Sequence, residues 1–104
     1  MGVQNEQKYR DASGTIQDDY RIDFIKQHLY WTIRAAQEGS DVKGYMLWAF
    51  TDNVSPMNAF KNRYGLVEID LEHNRDRHLK KSAFFYKNVI EDRSFMYDND
   101  IEYR

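Results

Sequence analysis

A nearly unbroken apolar run, Tyr45-Met46-Leu47-Trp48-Ala49-Phe50, follows a long helical pattern after only a few polar residues, and this pairing constrains the fold more than any other feature. The run lies in a short strand from Val42 to Phe50. A strand that is apolar on successive residues suits burial on both faces, as in a parallel sheet. Before it, Ile22, Ile25, Leu29, Ile33 and Ala36 recur at three- and four-residue steps, with Tyr20, Phe24, Trp31 and Ala35 on the flanks. That spacing predicts one helix from Asp18 to about Glu38. Asp18 is placed as its N-cap, Asp19 suits the positive helix end, and Gly39 is placed to end it. Helix, short loop and buried strand form the rhythm of an α/β barrel.

The rest of the chain is read around that unit. Residues 1–17 are polar and irregular. Residues 51–64 form a loop holding the only proline, Pro56, with Asp52 and Asn53 fixing it through side-chain-to-backbone bonds. Leu66 to Leu71 alternates as a second strand, and Glu72 to Arg77 is a polar turn. Lys80 to Glu91 is a second helix, with Ala83, Tyr86, Val89 and Ile90 on one stripe and Phe85 beside it. The basic stretch Arg75, Arg77, His78, Lys80, Lys81 reads as a solvated loop and helix start. The tail from Asp92 is polar and aromatic. Its triplet Asp98-Asn99-Asp100 lacks the spacing and glycine of a calcium loop, and a frayed or locally packed terminus is expected there.

Composition narrows the function. There is no cysteine, so disulfides, thiolate zinc sites and cysteine nucleophiles are excluded. A formal net charge of −2 gives no basic field for nucleic acid. No apolar run approaches the roughly 20 residues of a membrane span, and no signal-peptide core opens the chain. A cytoplasmic location is expected. His28, His73 and His78 match no metal pair on one helix face. Aromatics are 15% of the chain, a supply that suits a packed core and equally a sugar site, where rings stack on C–H faces.

Four motifs carry a family resemblance. Lys43-Gly44-Tyr45-Met46-Leu47-Trp48-Ala49-Phe50-Thr51-Asp52-Asn53 resembles the eighth barrel strand of glycoside hydrolase family 1. Phe60-Lys61-Asn62-Arg63-Tyr64-Gly65-Leu66-Val67, the helix around Lys81-Ser82-Ala83-Phe84-Phe85-Tyr86-Lys87-Asn88-Val89-Ile90 and Asp18-Asp19-Tyr20-Arg21-Ile22-Asp23 fit the same template. The resemblance covers about residues 1–90. It implies an α/β fold, the C-terminal part of a (β/α)8 TIM barrel: helix 7, strand 8, the excursion after it, and helix 8. Residues 1–92 would belong to that single glycosidase domain and 93–104 to a C-terminal tail. In the family, Thr-Glu-Asn-Gly ends the seventh strand and carries the nucleophile, and Met1-Gly2-Val3-Gln4-Asn5-Glu6 resembles the segment directly after that motif. Both catalytic carboxyls would then lie outside this chain. The implied parent is a retaining β-glycosidase acting on β-glucosides or 6-phospho-β-glucosides, without cofactor or metal, while the isolated chain is expected to be inactive. The rival from another class is a non-catalytic polypeptide, the product of a truncated or split gene.

The resemblance also assigns substrate-binding residues. On its own terms Trp48 reads as a core tryptophan; the family implies a floor under the sugar ring. Ser55 stands where family members acting on plain glucosides have a glutamate, and a serine can donate to a phosphate that a carboxylate would repel. Tyr64 matches a phosphate-binding tyrosine. The lysine expected two residues before it is replaced by Asn62, which leaves Lys61 or Arg63 as the cation. Pro56 replaces a tryptophan found in many members, which leans toward gluco over galacto substrates. The strand 45–50 has neither barrel neighbour in this chain, so self-association into a homo-oligomer is expected.

Overall fold

The computed structural model of the chain describes residues 2–57, 59–98 and 101–103. Strand β1 (Val3–Gln4) and a 3-10 turn (Glu6–Tyr9) lead to helix α1 (Asp19–Gln37); β2 (Asn62–Arg63), β3 (Val67–Asp70) and β4 (Asp76–Leu79) precede helix α2 (Lys81–Asp92), and β5 (Phe95–Asp98) and β6 (Ile101–Tyr103) come after it. The strands pair antiparallel as β1–β2, β3–β4 and β5–β6.

Helix α1 forms where its periodicity places it, and Gly39 at φ 103° ends it in the left-handed region. Burial of its stripe is uneven. Ile22 and Ile25 are sealed, Leu29 and Ile33 half-buried, and Ala36 exposed. The apolar core among the described residues is small: Ile16, Ile22, Ile25, Leu66, Val67 and Phe95.

Three expectations are corrected. The apolar segment 42–50 forms no strand among the described residues, and it is not buried on both faces: Met46 is 93% exposed and Phe50 71%. Tyr86 OH reaches the Tyr45 carbonyl at 3.5 Å, and the end of the segment is tied down by backbone bonds. Leu66 N donates to Ala49 O at 3.1 Å, Val67 N donates to Phe50 O at 2.9 Å, and Thr51 makes one parallel bridge to Val67. Its apolar faces were read as covered by neighbours; among the described residues Tyr45, Leu47 and Ala49 are half-covered, with His28 of α1 edge-on to Tyr45 at 6.4 Å, and the face of Met46, Trp48 and Phe50 is open. Second, the polar stretch after β3 turns back into a strand. The Asp70 carboxylate accepts the Glu72 and His73 amides at 3.1 and 3.2 Å, Asn74 and Arg75 adopt positive φ, and β4 pairs Leu79 with Val67. Third, residues 1–17 are not irregular throughout, since β1 pairs with β2 and Arg10 bridges to Ile16.

The tail packs locally. Phe95 is buried, the Tyr97 ring stacks on Tyr30 at 4.5 Å, and Tyr97 OH donates to Gln27 Oε1 at 3.0 Å. Asn99 and Asp100 of the acidic triplet lie outside the described residues.

Candidate functional site

Helix α2 begins Lys81-Ser82 directly after Lys80, two lysines at the positive end of a helix dipole, where carboxylates belong. The chain supplies the carboxylates from far away in sequence. Asp18 accepts Ser82 N at 2.9 Å through Oδ1 and Ser82 Oγ at 2.5 Å through Oδ2. Asp19 pairs with Lys81 at 2.6 Å. Asp18 occupies the N-cap position of α1 but makes no side-chain cap there; its carboxylate caps α2 instead. Lys80, read as a solvated charge, is fully buried between Glu6 Oε1 at 2.6 Å and Asp52 Oδ1 at 2.7 Å.

Arg21 extends this network. Its guanidinium pairs with Glu6 at 2.9 Å and with Asp18, and it donates from Nη2 to the Arg63 carbonyl at 2.7 Å. Burial alone would lower the Arg21 pKa, but Glu6, Tyr20 and Asp18 outweigh it and the net shift is upward. Burial, then the hydrogen bond to Glu6, pushes the Tyr20 phenol well up. Asp52 holds the following loop: Oδ1 accepts Gly65 N at 3.0 Å, Oδ2 accepts Ile69 N at 3.4 Å and lies 3.6 Å from Arg63 Nη1. Glu6, Asp18 and Asp52 thus face Arg21, Lys80 and Arg63. Removing such ions from water costs several kcal/mol each unless they are paired, and here the signs balance. A separate bidentate pair joins Arg10 to Glu68 at 3.1 and 2.5 Å.

Of the sequence-derived site residues, Arg63 joins this network and Tyr64 adjoins it. Trp48 is 60% exposed, with its ring centroid 5.3 Å from that of Tyr64. Tyr64 is half-buried; its hydroxyl accepts from Asn62 Nδ2 at 3.3 Å and its carbonyl accepts Ala49 N at 3.3 Å. Ser55 is half-buried in its own turn, its hydroxyl accepting Met57 N at 3.2 Å and its backbone exchanging bonds with Ala59 at 2.9 and 2.8 Å. Lys61 is exposed. Arg63 is turned inward, donating to Ile69 O at 3.3 Å and lying 5.4 Å from the Phe60 ring centre. The structure therefore brings Trp48 and Tyr64 together, commits Arg63 to the interior and leaves Lys61 at the surface.

Sequence reasoning found Asp52 as a loop anchor but missed Glu6, Arg21, Lys80 and Ser82 as buried groups. The paired lysines at the start of α2 were the available signal, because they demand anions from elsewhere. No cluster of three potential metal ligands occurs, and no helix is long and apolar enough to cross a membrane, among the described residues.

A family model described as glycosyl hydrolase family 1 matches residues 1–95. The chain is 57% identical over 95 residues to the 6-phospho-beta-glucosidase GmuD of Bacillus subtilis (strain 168), covering 91% of this chain and 20% of that protein. It is 38% identical over 90 residues to a 6-phospho-beta-galactosidase of Staphylococcus aureus (strain JH9), covering 86% of this chain and 19% of that one. The chain thus spans about a fifth of the length of the curated relatives it matches. A family 1 β-glucosidase from Thermotoga maritima superposes with a TM-score of 0.79 at 31% identity, over 84% of this chain and 19% of its own. The described structure is accordingly part of an α/β fold shared with those β-glucosidases.

Proposed function

The chain belongs to glycosyl hydrolase family 1, and from that membership we propose that it forms the substrate-binding wall of a retaining glycosidase of 6-phospho-β-glucosides. In this reading α1 is barrel helix 7, residues 42–50 are strand 8, the loop to β4 is the excursion, and α2 is helix 8. Trp48 is the floor under the sugar ring. Ser55 and Tyr64 donate to the 6-phosphate, and Lys61 supplies the cation.

The observation that carries the reading is the exposed Trp48 ring set against Tyr64 near the end of segment 42–50, in a chain 57% identical to a named 6-phospho-β-glucosidase. The engagement of Arg63 with Asp52 and Ile69 supports Lys61 as the cation, because Lys61 alone of the two is exposed. Retaining hydrolysis needs two carboxyls about 5–5.5 Å apart, one protonating the leaving oxygen and one attacking the anomeric carbon. The buried carboxylates here are otherwise employed: Glu6 and Asp52 on Lys80, Asp18 on Ser82 and Arg21, and Glu68 on Arg10. The reaction therefore draws its catalytic pair from outside these residues, and the isolated chain turns over no β-glycoside.

The test transfers this chain into the matching part of the Bacillus subtilis enzyme. A charge-assisted hydrogen bond contributes about 1.5–3 kcal/mol, so the hybrid should prefer a chromogenic 6-phospho-β-glucoside over the plain glucoside by at least about tenfold. Ser55→Glu in the hybrid should reverse the preference. Equal turnover of both substrates would favour a parent acting on unphosphorylated β-glucosides. Turnover by the isolated chain, with host enzyme excluded, would overturn the division of labour.

A further inference from the structure

The buried ions converge on one short piece of backbone. Arg21 donates to the carbonyl of Arg63 at 2.7 Å, and Asp52 accepts the amide of Gly65 at 3.0 Å. Those two bonds grip the chain immediately before and immediately after Tyr64. A third bond, Ala49 N to Tyr64 O at 3.3 Å, ties the same residue to the peptide next to Trp48. Two glycines let the walls close in. A Cβ on Gly65 would collide with the backbone of Thr51 and Asp52, and one on Gly2 would lie 2.7 Å from Tyr64 Cδ1. Lys80 holds Asp52 from behind, and Glu6 holds both Lys80 and Arg21, so each end of the grip is part of one charge-balanced unit.

We propose that this buried ion network is a positioning device for the sugar site: Arg21 and Asp52 fix the backbone on either side of Tyr64 and thereby set its ring against Trp48. The network touches no substrate itself. It converts the docking of the two helix N-termini, through Asp18 and Ser82, into the placement of one tyrosine. An isolated loop of this length would sample many conformations; held by charged partners inside a low-dielectric interior, it has one. The assignment of Tyr64 to a sugar site rests on the proposed function; the grip on Tyr64 does not.

The test uses the chain as it stands, with Trp31→Phe to leave Trp48 as the sole tryptophan. Near-ultraviolet circular dichroism then reports the Trp48–Tyr64 pair, and far-ultraviolet dichroism reports the helices. Arg21→Lys keeps a cation beside Glu6 and Asp18 but is too short for the Arg63 carbonyl. It should lose most of the near-ultraviolet signal that Tyr64→Ala removes, with helix content unchanged. Asp52→Asn keeps an acceptor for Gly65 N and should retain more of the signal than Asp52→Ala. A folded Arg21→Lys variant with an unaltered Trp48 signal overturns the proposal. Hydrogen exchange on the unsubstituted chain guards against variants that fail to fold: the Gly65 amide should exchange as slowly as that of Ile25, and exchange as fast as at Gly44 overturns the proposal equally. The hybrid enzyme separates the two readings, since Arg21→Lys should there raise KM for the 6-phospho-β-glucoside, and an unchanged KM counts against the sugar site and leaves the positioning result standing.

Discussion

The first turns of α1 and its last turns carry the same apolar stripe and meet different surroundings. Arg21, Ile22 and Ile25 are buried, Arg21 among Glu6, Asp18 and the Arg63 carbonyl, whereas Trp31 is 63% exposed and Ala36 faces solvent. The same division runs through the whole molecule. On the anchored side, charged groups lie inside and are paired with one another. On the open side, Met46, Trp48, Phe50, Phe84 and Ile90 lie outside, and an apolar groove runs between Phe50, Leu66, Leu79, Phe84 and Ile90. Buried, paired charges stand beside a small apolar core, while several large apolar residues remain outside. What the difference teaches is that the buried ions find ions of opposite sign within the chain, whereas much of the apolar surface of these residues stays open.

The comparison breaks most readily at Lys80. Lys80→Met takes away the cation that Glu6 and Asp52 share and leaves the buried network with one negative charge in excess, and removing one partner of a buried pair costs about 3–5 kcal/mol. Urea unfolding should show that loss. If the variant unfolds within about 1 kcal/mol of the parent, the network is not closed to water and the division between the two sides fails.

A within-helix pair of truncations sharpens it. Ile25→Ala removes a sealed side chain and should destabilise by about 2–5 kcal/mol. Ile33→Ala, eight residues on in the same stripe and half-buried, should cost under about 1 kcal/mol, since much of its surface already faces water. Equal losses at the two positions, read from the same denaturation curves, would mean that the open end is covered in solution.

These same particulars show what could be read from the sequence. The helix α1 was legible nearly to the residue because a 3.6-residue period needs no knowledge of its partner. The segment 42–50 was read as a buried strand because composition reports what a strand is made to face, not what is present to face it. The β3–β4 hairpin was missed because Asp76-Arg77-His78-Leu79 has no apolar face and its register is set by the Asp70 turn. The buried ions were missed because Lys, Glu, Arg and Asp are nearly always solvated unless paired, and pairing across some sixty residues leaves no local mark. For the site, Trp48 and Tyr64 were named and the structure sets them together, while the inward turn of Arg63 toward Asp52 depended on the fold.

The open side yields a smaller effect, on association. Segment 42–50 presents apolar side chains and an edge with few backbone partners among the described residues, a template for pairing. At micromolar concentration the chain is expected to form dimers or larger assemblies by light scattering. Met46→Asp with Phe50→Asp should weaken association by at least about tenfold, or about 1.4 kcal/mol, and leave the urea midpoint of the anchored side unchanged. A parent chain that stays monomeric would show that these exposed residues tolerate water as they are.

The smallest expected effect lies on the solvent surface of the anchored side, in the turn that precedes α1. The Asp11 carboxylate accepts Ser13 Oγ at 2.6 Å, Ser13 N at 2.9 Å and Thr15 N at 3.1 Å through one oxygen, and Gln17 Nε2 at 2.9 Å through the other. The Ser13 hydroxyl first, then the Thr15 amide, hold its pKa below the ordinary 3.8. A carboxyl whose folded value is depressed stabilises the fold fully above its unfolded value. That contribution fades as pH falls below 3.8 toward the lowered folded value. Below both values none of it remains. Because Asp11 is solvent-exposed the change should be slight: a local loosening of residues 11–17 rather than unfolding. Carboxyl-carbon NMR should place the Asp11 midpoint below 3.8, with Ser13 and Thr15 amide exchange quickening over the same interval. Asp11→Asn should abolish that pH dependence, because its amide oxygen still accepts but no longer titrates. A midpoint at or above 3.8 would mean the turn opens in solution and that order on the anchored side stops at the buried ions.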